Sequence, residues 1–64
     1  MDYKLLKECI QKSDYGSIAA LARAMEIQES NFNQMVNGKR NLTIVRLEGI
    51  CEKIGIKPRL LFPK

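Results

Sequence analysis

The sequence has no histidine, and its two cysteines, Cys9 and Cys51, are too few for a structural zinc site, which needs about four ligands. Histidine is also the commonest general acid or base in catalysis. The chain further lacks a glycine-rich phosphate loop and paired carboxylates on one helical face. We therefore expect no bound metal, no cofactor, no small-molecule substrate and no enzymatic activity.

Long apolar runs are missing as well. No stretch is long enough to span a bilayer, and none has the pattern of a cleavable signal sequence. Both cysteines lie within apolar helical patterns, which predicts buried, reduced and unreactive thiols. These features predict a cytoplasmic protein that does not use a membrane as its partner.

Aromatic residues make up only 6% of the chain, whereas hydrophobic residues as a whole make up 45%. The core must therefore consist mainly of Leu, Ile, Val, Met and Ala side chains, a composition that favours packed helices. With 64 residues, the chain is long enough for one small domain only. We expect a single all-α domain over residues 1–64.

Acidic residues are in the minority, since 7 Asp and Glu stand against 11 Lys and Arg, which gives a net charge of +4. An excess of positive charge favours an anionic partner, either nucleic acid or an acidic membrane surface. Charge alone does not choose between these partners. The choice between them depends on the helical motifs of the chain.

Capping residues and apolar spacing predict the first two helices. Asp2 can cap a helix over residues 3–12, and Ser17 stands at the start of a second helix over about residues 17–25. Spacings of three and four residues place the apolar side chains of each helix on one buried stripe. The stripes are Leu5, Leu6, Cys9 and Ile10 in the first helix, and Ile18, Leu21, Ala22 and Met25 in the second.

Three more helices are predicted. A short connection over residues 26–28 leads into a third helix over about residues 29–36. Thr43 can cap a fourth helix that ends at a left-handed Gly55, and Pro58 suits the first turn of a short fifth helix. Gly49 marks either close packing or a tolerated defect. The buried stripe of the fourth helix comprises Ile44, Leu47, Ile50, Cys51 and Ile54.

The third helix has two chemically different faces. Its inner face carries Phe32, Met35 and Val36, and its outer face carries Ser30, Gln34 and Asn37. The outer face has no Lys or Arg, although exposed helical faces are usually rich in charge. An amide presents a donor beside an acceptor, which matches adenine N6 and N7. This face therefore either reads base edges in DNA or is simply solvated.

The loop after the third helix, residues 37–41, is polar and contains the Asn-Gly turn signal. Lys39 and Arg40 lie at its centre, beside the outer face of the helix. Basic side chains there can contact phosphates and so set the register of a protein on DNA.

The order of these residues resembles the lambda-repressor-like helix-turn-helix family, which includes phage Cro proteins and bacterial regulators. The resemblance covers about residues 5–62 and is distributed over Leu21-Ala22, Ile27, Phe32, Met35, Asn37-Gly38-Lys39, Leu47, Ile50-Cys51, Ile54-Gly55-Ile56 and Leu61. It implies a compact five-helix domain in which helix 2 crosses the DNA backbone and helix 3 enters the major groove. It also implies a repressor or regulator of transcription in the bacterial cytosol or encoded by a phage.

Carried over by position, the resemblance implies roles for particular side chains. The base-reading residues are Glu29, Ser30 and Gln34, with Asn33 adjoining. The residues expected at the DNA backbone are Ser17, Gln28, Asn37, Lys39, Arg40 and Asn41. Glu29 either accepts a hydrogen bond from cytosine N4 or is an acid favoured by the positive end of its helix.

The sequence departs from the family pattern at Glu26, which replaces the glycine common in the turn. A left-handed residue other than glycine costs about 1 kcal/mol, so this position is expected to be strained. Ile18 replaces the polar residue that often opens helix 2, which weakens the assignment of Ser17 to a phosphate.

A single short helix covers too few base pairs for useful specificity, which predicts a homodimer on a near-palindromic site. Leu60 and Phe62 are the candidate dimer contacts, the alternative being that Leu60, Leu61 and Phe62 all cap the core. The same apolar residues leave a second function open. On this fold the chain can instead be a protein-protein interaction module, antitoxin-like or adaptor-like.

Overall fold

The computed structural model describes residues 1–62. Its elements are α1 (Tyr3–Lys12), α2 (Ile18–Ala24), α3 (Glu29–Val36), α4 (Ile44–Ile54) and a 3-10 turn (Pro58–Leu61). No β-strand occurs within residues 1–62, so the predicted all-α class is confirmed. The last two residues of the predicted domain, 63–64, lie outside the described residues.

The fifth element differs from the α-helix that the sequence predicted. Pro58 opens it as expected, but it comprises only 4 residues and forms a 3-10 turn. So short a segment cannot build the consecutive four-residue hydrogen bonds of an α-helix, and short 3-10 pieces are common connectors. The domain therefore has four α-helices and a terminal turn among its described residues.

Side-chain caps begin three of the helices at the predicted positions. The side chains of Asp2, Ser17 and Thr43 each accept a hydrogen bond from the backbone N–H three residues later, at 3.0, 3.1 and 3.2 Å respectively. Each bond satisfies an N–H group that has no partner within its helix. Local sequence therefore determines where α1, α2 and α4 begin.

The turn between α2 and α3 is closed by two backbone hydrogen bonds. Glu26 N–H donates to the Arg23 carbonyl at 3.1 Å, and Ile27 N–H donates to the Ala22 carbonyl at 2.9 Å. This pair of bonds is a Schellman motif, which needs a left-handed residue after the helix. Glu26 occupies that position with a φ of 57°, so its predicted left-handed backbone is confirmed.

The same motif ends α3, here with glycine at the left-handed position. Gly38 has a φ of 78°, and Lys39 N–H donates to the Gln34 carbonyl at 2.8 Å. A Cβ atom at Gly38 would lie 3.0 Å from the ring of Tyr3 in α1. The backbone therefore favours glycine here, and any larger residue would also have to displace the ring of Tyr3.

The core is made by one face of each helix together with the terminal turn. Its buried side chains are Leu6, Ile10, Leu21, Ala22, Phe32, Met35, Val36, Leu47, Ile50, Cys51 and Leu61. The predicted inner face of α3 is confirmed. Among the described elements, α2 and α3 make the most extensive contact, so the two helices of the motif are packed as one unit.

Two details of the predicted stripes need correction, at Ile44 and Cys9, and the structure decides the alternative left open at Gly49. Ile44 is 61% exposed, because it is the first residue of α4 and lies beyond the edge of the core. Cys9 is only partly buried, whereas Cys51 is buried as predicted. At Gly49 a Cβ atom would make an ordinary 3.6 Å contact with Met25 Cε, so this glycine is tolerated and does not mark close packing.

Candidate nucleic-acid interface

The outer face of α3 is exposed along its length. Ser30, Asn33 and Gln34 are all exposed, while Phe32, Met35 and Val36 on the opposite face are buried. A shallow surface depression is lined by Ser30, Asn33, Gln34, Asn37 and Lys39. The structure thus brings together three predicted base-reading residues and two of those expected at the DNA backbone.

Gln34 is held by a residue from the following loop. The Nε atom of Arg40 donates to Oε1 of Gln34 at 3.2 Å, and both side chains are exposed. A guanidinium has five N–H donors, and this bond uses one of them. Arg40 therefore contacts the outer face of α3 as well as carrying charge beside it.

A second set of hydrogen bonds connects α1 to the end of α3. Lys7 Nζ donates to Asn37 Oδ1 at 2.7 Å, and Asn37 Nδ2 donates to the carbonyl oxygen and Oδ1 of Asn33, at 2.7 and 3.0 Å. Sequence reasoning missed Lys7, because it lies 30 positions from Asn37 and its helix has no motif that suggests a contact. No local signal could have found it.

Glu29 lies in the first turn of α3 and pairs with α2. Its Oε1 is 3.4 Å from Arg23 Nε, and the two side chains are 57% and 75% exposed, respectively. Exposed pairs of this kind contribute at most about 1 kcal/mol, so Glu29 remains available to a partner. Its carboxylate also lies where the positive end of the helix favours an acid.

A further cation, Arg46, borders the loop. Arg40 and Asn41 line a second depression, together with Arg46 near the start of α4 and the α3 residue Asn31. Arg46 was not among the predicted site residues, since it lies on a helix that the sequence assigned to the core. This depression extends the positive surface from the loop onto α4.

The remaining predicted contacts lie at helix ends. Ser17 is exposed and its hydroxyl accepts the capping bond of α2. Gln28 is exposed at the N-cap of α3, where its Oε1 accepts from Asn31 Nδ2 at 3.4 Å. Both residues therefore lie on the surface beside the motif, as a role at the DNA backbone requires.

The C-terminal turn has one buried and two exposed apolar side chains. Leu61 is fully buried, whereas Leu60 is 52% and Phe62 45% exposed. Asp2 N–H donates to the Leu61 carbonyl at 2.7 Å, which joins the turn to the start of α1. Only Leu61 caps the core, so Leu60 and Phe62 are available at the surface.

The described residues show no arrangement for metal binding. No group of three or more His, Cys, Asp or Glu side chains could hold an ion in residues 1–62.

Burial raises the pKa of the Cys51 thiol, and the neighbouring Cys9 raises it further. Among the described residues, no helix is long and apolar enough to cross a membrane.

Two helices packed at a short turn, with an exposed polar face on the second, form a helix-turn-helix motif, the class of fold that places its second helix in the major groove of DNA. The family model described as the Cro/C1-type HTH DNA-binding domain matches residues 5–61. The chain belongs to this family, which confirms the resemblance seen in its sequence. Neither the comparison with curated proteins nor that with solved structures gives a match.

Proposed function

We propose that the protein is a transcriptional repressor that binds a specific double-stranded DNA sequence, with α3 in the major groove. One observation carries this proposal: the exposed face of α3 presents amides and a hydroxyl but no Lys or Arg. Glu29, Ser30, Asn33 and Gln34 contact base edges. Hydrogen bonds to base edges discriminate between sequences, whereas contacts to phosphate do not.

The residues around α3 suit the phosphate backbone. Lys39, Arg40 and Asn41 follow the helix, and Ser17, Gln28 and Asn37 lie at helix ends. Cations that neutralise phosphates release counterions, so they supply affinity for any sequence and make binding depend on salt. Contacts to base edges then determine which DNA sequence is preferred.

The functional unit on DNA is a homodimer. With 8 residues, α3 covers only a few base pairs, and two copies related by a twofold axis read a near-palindromic site. Leu60 and Phe62 form the contact between protomers, which is supported by their exposure beside the buried Leu61. Occupation of such a site by a dimer excludes other proteins from it, which is the simplest form of repression.

A second candidate function is a protein-protein interaction module on the same fold. Four large hydrophobic side chains are exposed among residues 1–62, namely Ile44, Val45, Leu60 and Phe62. Exposed apolar surface is a feature of interaction sites. Such a module would not lose affinity for its partner steeply with salt, whereas a DNA-binding protein does so for DNA.

The experiment that tests the proposed function is a selection of bound fragments from a pool of random duplex DNA. We expect enrichment of a near-palindromic sequence whose half-site centres are about ten base pairs apart. Retention of the pool should also fall steeply as salt is raised. A pool that shows no enriched sequence after selection would contradict sequence-specific binding.

A further inference from the structure

Two side-chain amides on the outer face of α3 accept hydrogen bonds through their oxygen atoms. In each case the donor is a cation or a residue that is itself bonded to a cation. One set runs from Arg40 to Gln34, and the other runs from Lys7 through Asn37 to Asn33. Guanidinium and ammonium groups carry donors and no acceptors. The amide atom that faces each cation must therefore be the oxygen, and the orientation of the amide follows.

Gln34 contacts its cation directly. Arg40 Nε donates to Oε1 at 3.2 Å, so the oxygen is directed at the guanidinium. The Nε2 amino group, with two N–H donors, is then the part of the amide left for a partner. Gln34 lines the surface depression and thus has donors left for a partner bound there.

Asn33 is connected to its cation through Asn37. Lys7 holds the oxygen of Asn37, so the Nδ2 group of Asn37 must be the donor in its bond to Asn33. Asn33 Oδ1, 3.0 Å away, is the acceptor of that bond. Its own Nδ2 group is thus left to donate, as at Gln34.

We propose that Arg40 and Lys7 orient the amides of Gln34 and Asn33 as hydrogen-bond donors, so that α3 reads guanine in its DNA site. The inference rests on the proposed function and names the base that its central residues prefer. It also makes Arg40 a positioning residue for Gln34, in addition to any phosphate contact.

The choice of guanine follows from the chemistry of base edges in the major groove. Guanine offers two adjacent acceptors, N7 and O6, whereas adenine offers an acceptor beside the N6 donor. A bidentate contact with adenine needs the amide oxygen to face the base, whereas in this structure the oxygen is directed at Arg40. Cytosine offers a donor, and thymine offers one acceptor beside a methyl group. Guanine alone matches a pair of donors.

The position in the DNA site that Gln34 reads can be located first, and the base preferred at that position can then be tested. Using the duplex selected from a random pool, Gln34→Ala should lose discrimination at one position, and that position is then filled with each base in turn. We expect guanine to bind about tenfold or more tightly than adenine. Replacing it with 7-deazaguanine, which lacks the N7 acceptor, should also weaken binding severalfold.

The positioning role is tested with a matched pair of loop variants. Arg40→Met and Lys39→Met remove the same charge from neighbouring exposed residues, and both should weaken binding to random duplex DNA. Only Arg40→Met should reduce the guanine-to-adenine ratio at the position read by Gln34, by about threefold or more. Lys7→Met should do the same at the position read by Asn33, with the exposed Lys4→Met of the same helix as control.

The outcomes separate the two proposals. Enrichment of a duplex in which Gln34 reads adenine, or an unchanged ratio in Arg40→Met, would overturn the guanine inference and leave sequence-specific binding intact. If the pool yields no enriched sequence at all, the proposed function and the inference both fail.

Discussion

At Gly38, backbone conformation and packing impose the same residue. Its φ of 78° favours glycine, and a Cβ atom would lie 3.0 Å from the Tyr3 ring. Gly16 has a similar φ of 79° but open space around a Cβ atom. Gly16→Ala should therefore cost about 1 kcal/mol of backbone strain, and Gly38→Ala more than that.

Urea denaturation of the two variants and the wild type measures this difference. The extra loss in Gly38→Ala reports the contact between α1 and the loop that carries Lys39 and Arg40. Equal losses would contradict a close approach of Tyr3 to this loop.

Lys39 is expected to act through charge alone. The variant Lys39→Ala should weaken binding to selected and random duplexes by the same factor, because phosphate contacts do not depend on sequence. It should also lower the slope of log affinity against log salt by about one. Titrations at several salt concentrations measure the slope. An unchanged slope would mean that the Lys39 side chain is merely solvated.

At the scale of elements, the turn between α2 and α3 stores strain at Glu26. Glycine adopts its φ of 57° without steric cost, whereas a residue with a side chain is destabilised by about 1 kcal/mol in this conformation. The variant Glu26→Gly should therefore stabilise the domain by up to about 1 kcal/mol, less the added entropy of the unfolded chain. A shift of the urea midpoint to higher concentration, with an unchanged m-value, is the expected result. A loss of stability larger than the entropic cost of a new glycine, about 1 kcal/mol, would contradict the strain.

Element boundaries could be predicted because the signals that set them are local. Asp2, Ser17 and Thr43 bond to N–H groups three residues away, and Gly55 ends α4 in the left-handed conformation. Exposure at element ends was harder to predict. The position of Ile44 fits the helical stripe, but whether the first residue of a helix reaches the core depends on where the other helices stop.

The candidate site was predictable only in part. Helical spacing identified the exposed face that contains Ser30 and Gln34, because side-chain direction follows from position in a helix. The bonds from Lys7 to Asn37 and from Arg40 to Gln34 were not predictable. They depend on the packing of α1 against α3 and on side-chain conformations, which no sequence spacing encodes.

At the scale of the whole molecule, the dimer proposal predicts two proteins on each selected site. The double variant Leu60→Ser and Phe62→Ser should keep the fold, since both side chains are exposed and the core residue Leu61 is retained. It should weaken binding to the full site far more than binding to an isolated half-site. Binding titrations on the two duplexes measure this difference in affinity. Sedimentation gives the number of proteins bound to each duplex. One protein per full site in the wild type would contradict the dimer.

The central claim is that the exposed face of α3 reads base edges, and one measurement tests it most directly. The affinities of the wild type and of Gln34→Ala are determined for the selected duplex and for a scrambled duplex of the same composition, at one salt concentration. The account predicts that Gln34→Ala loses about 1–3 kcal/mol on the selected duplex and almost nothing on the scrambled one. Equal losses on both duplexes, or none on either, would contradict a base-reading role for this face.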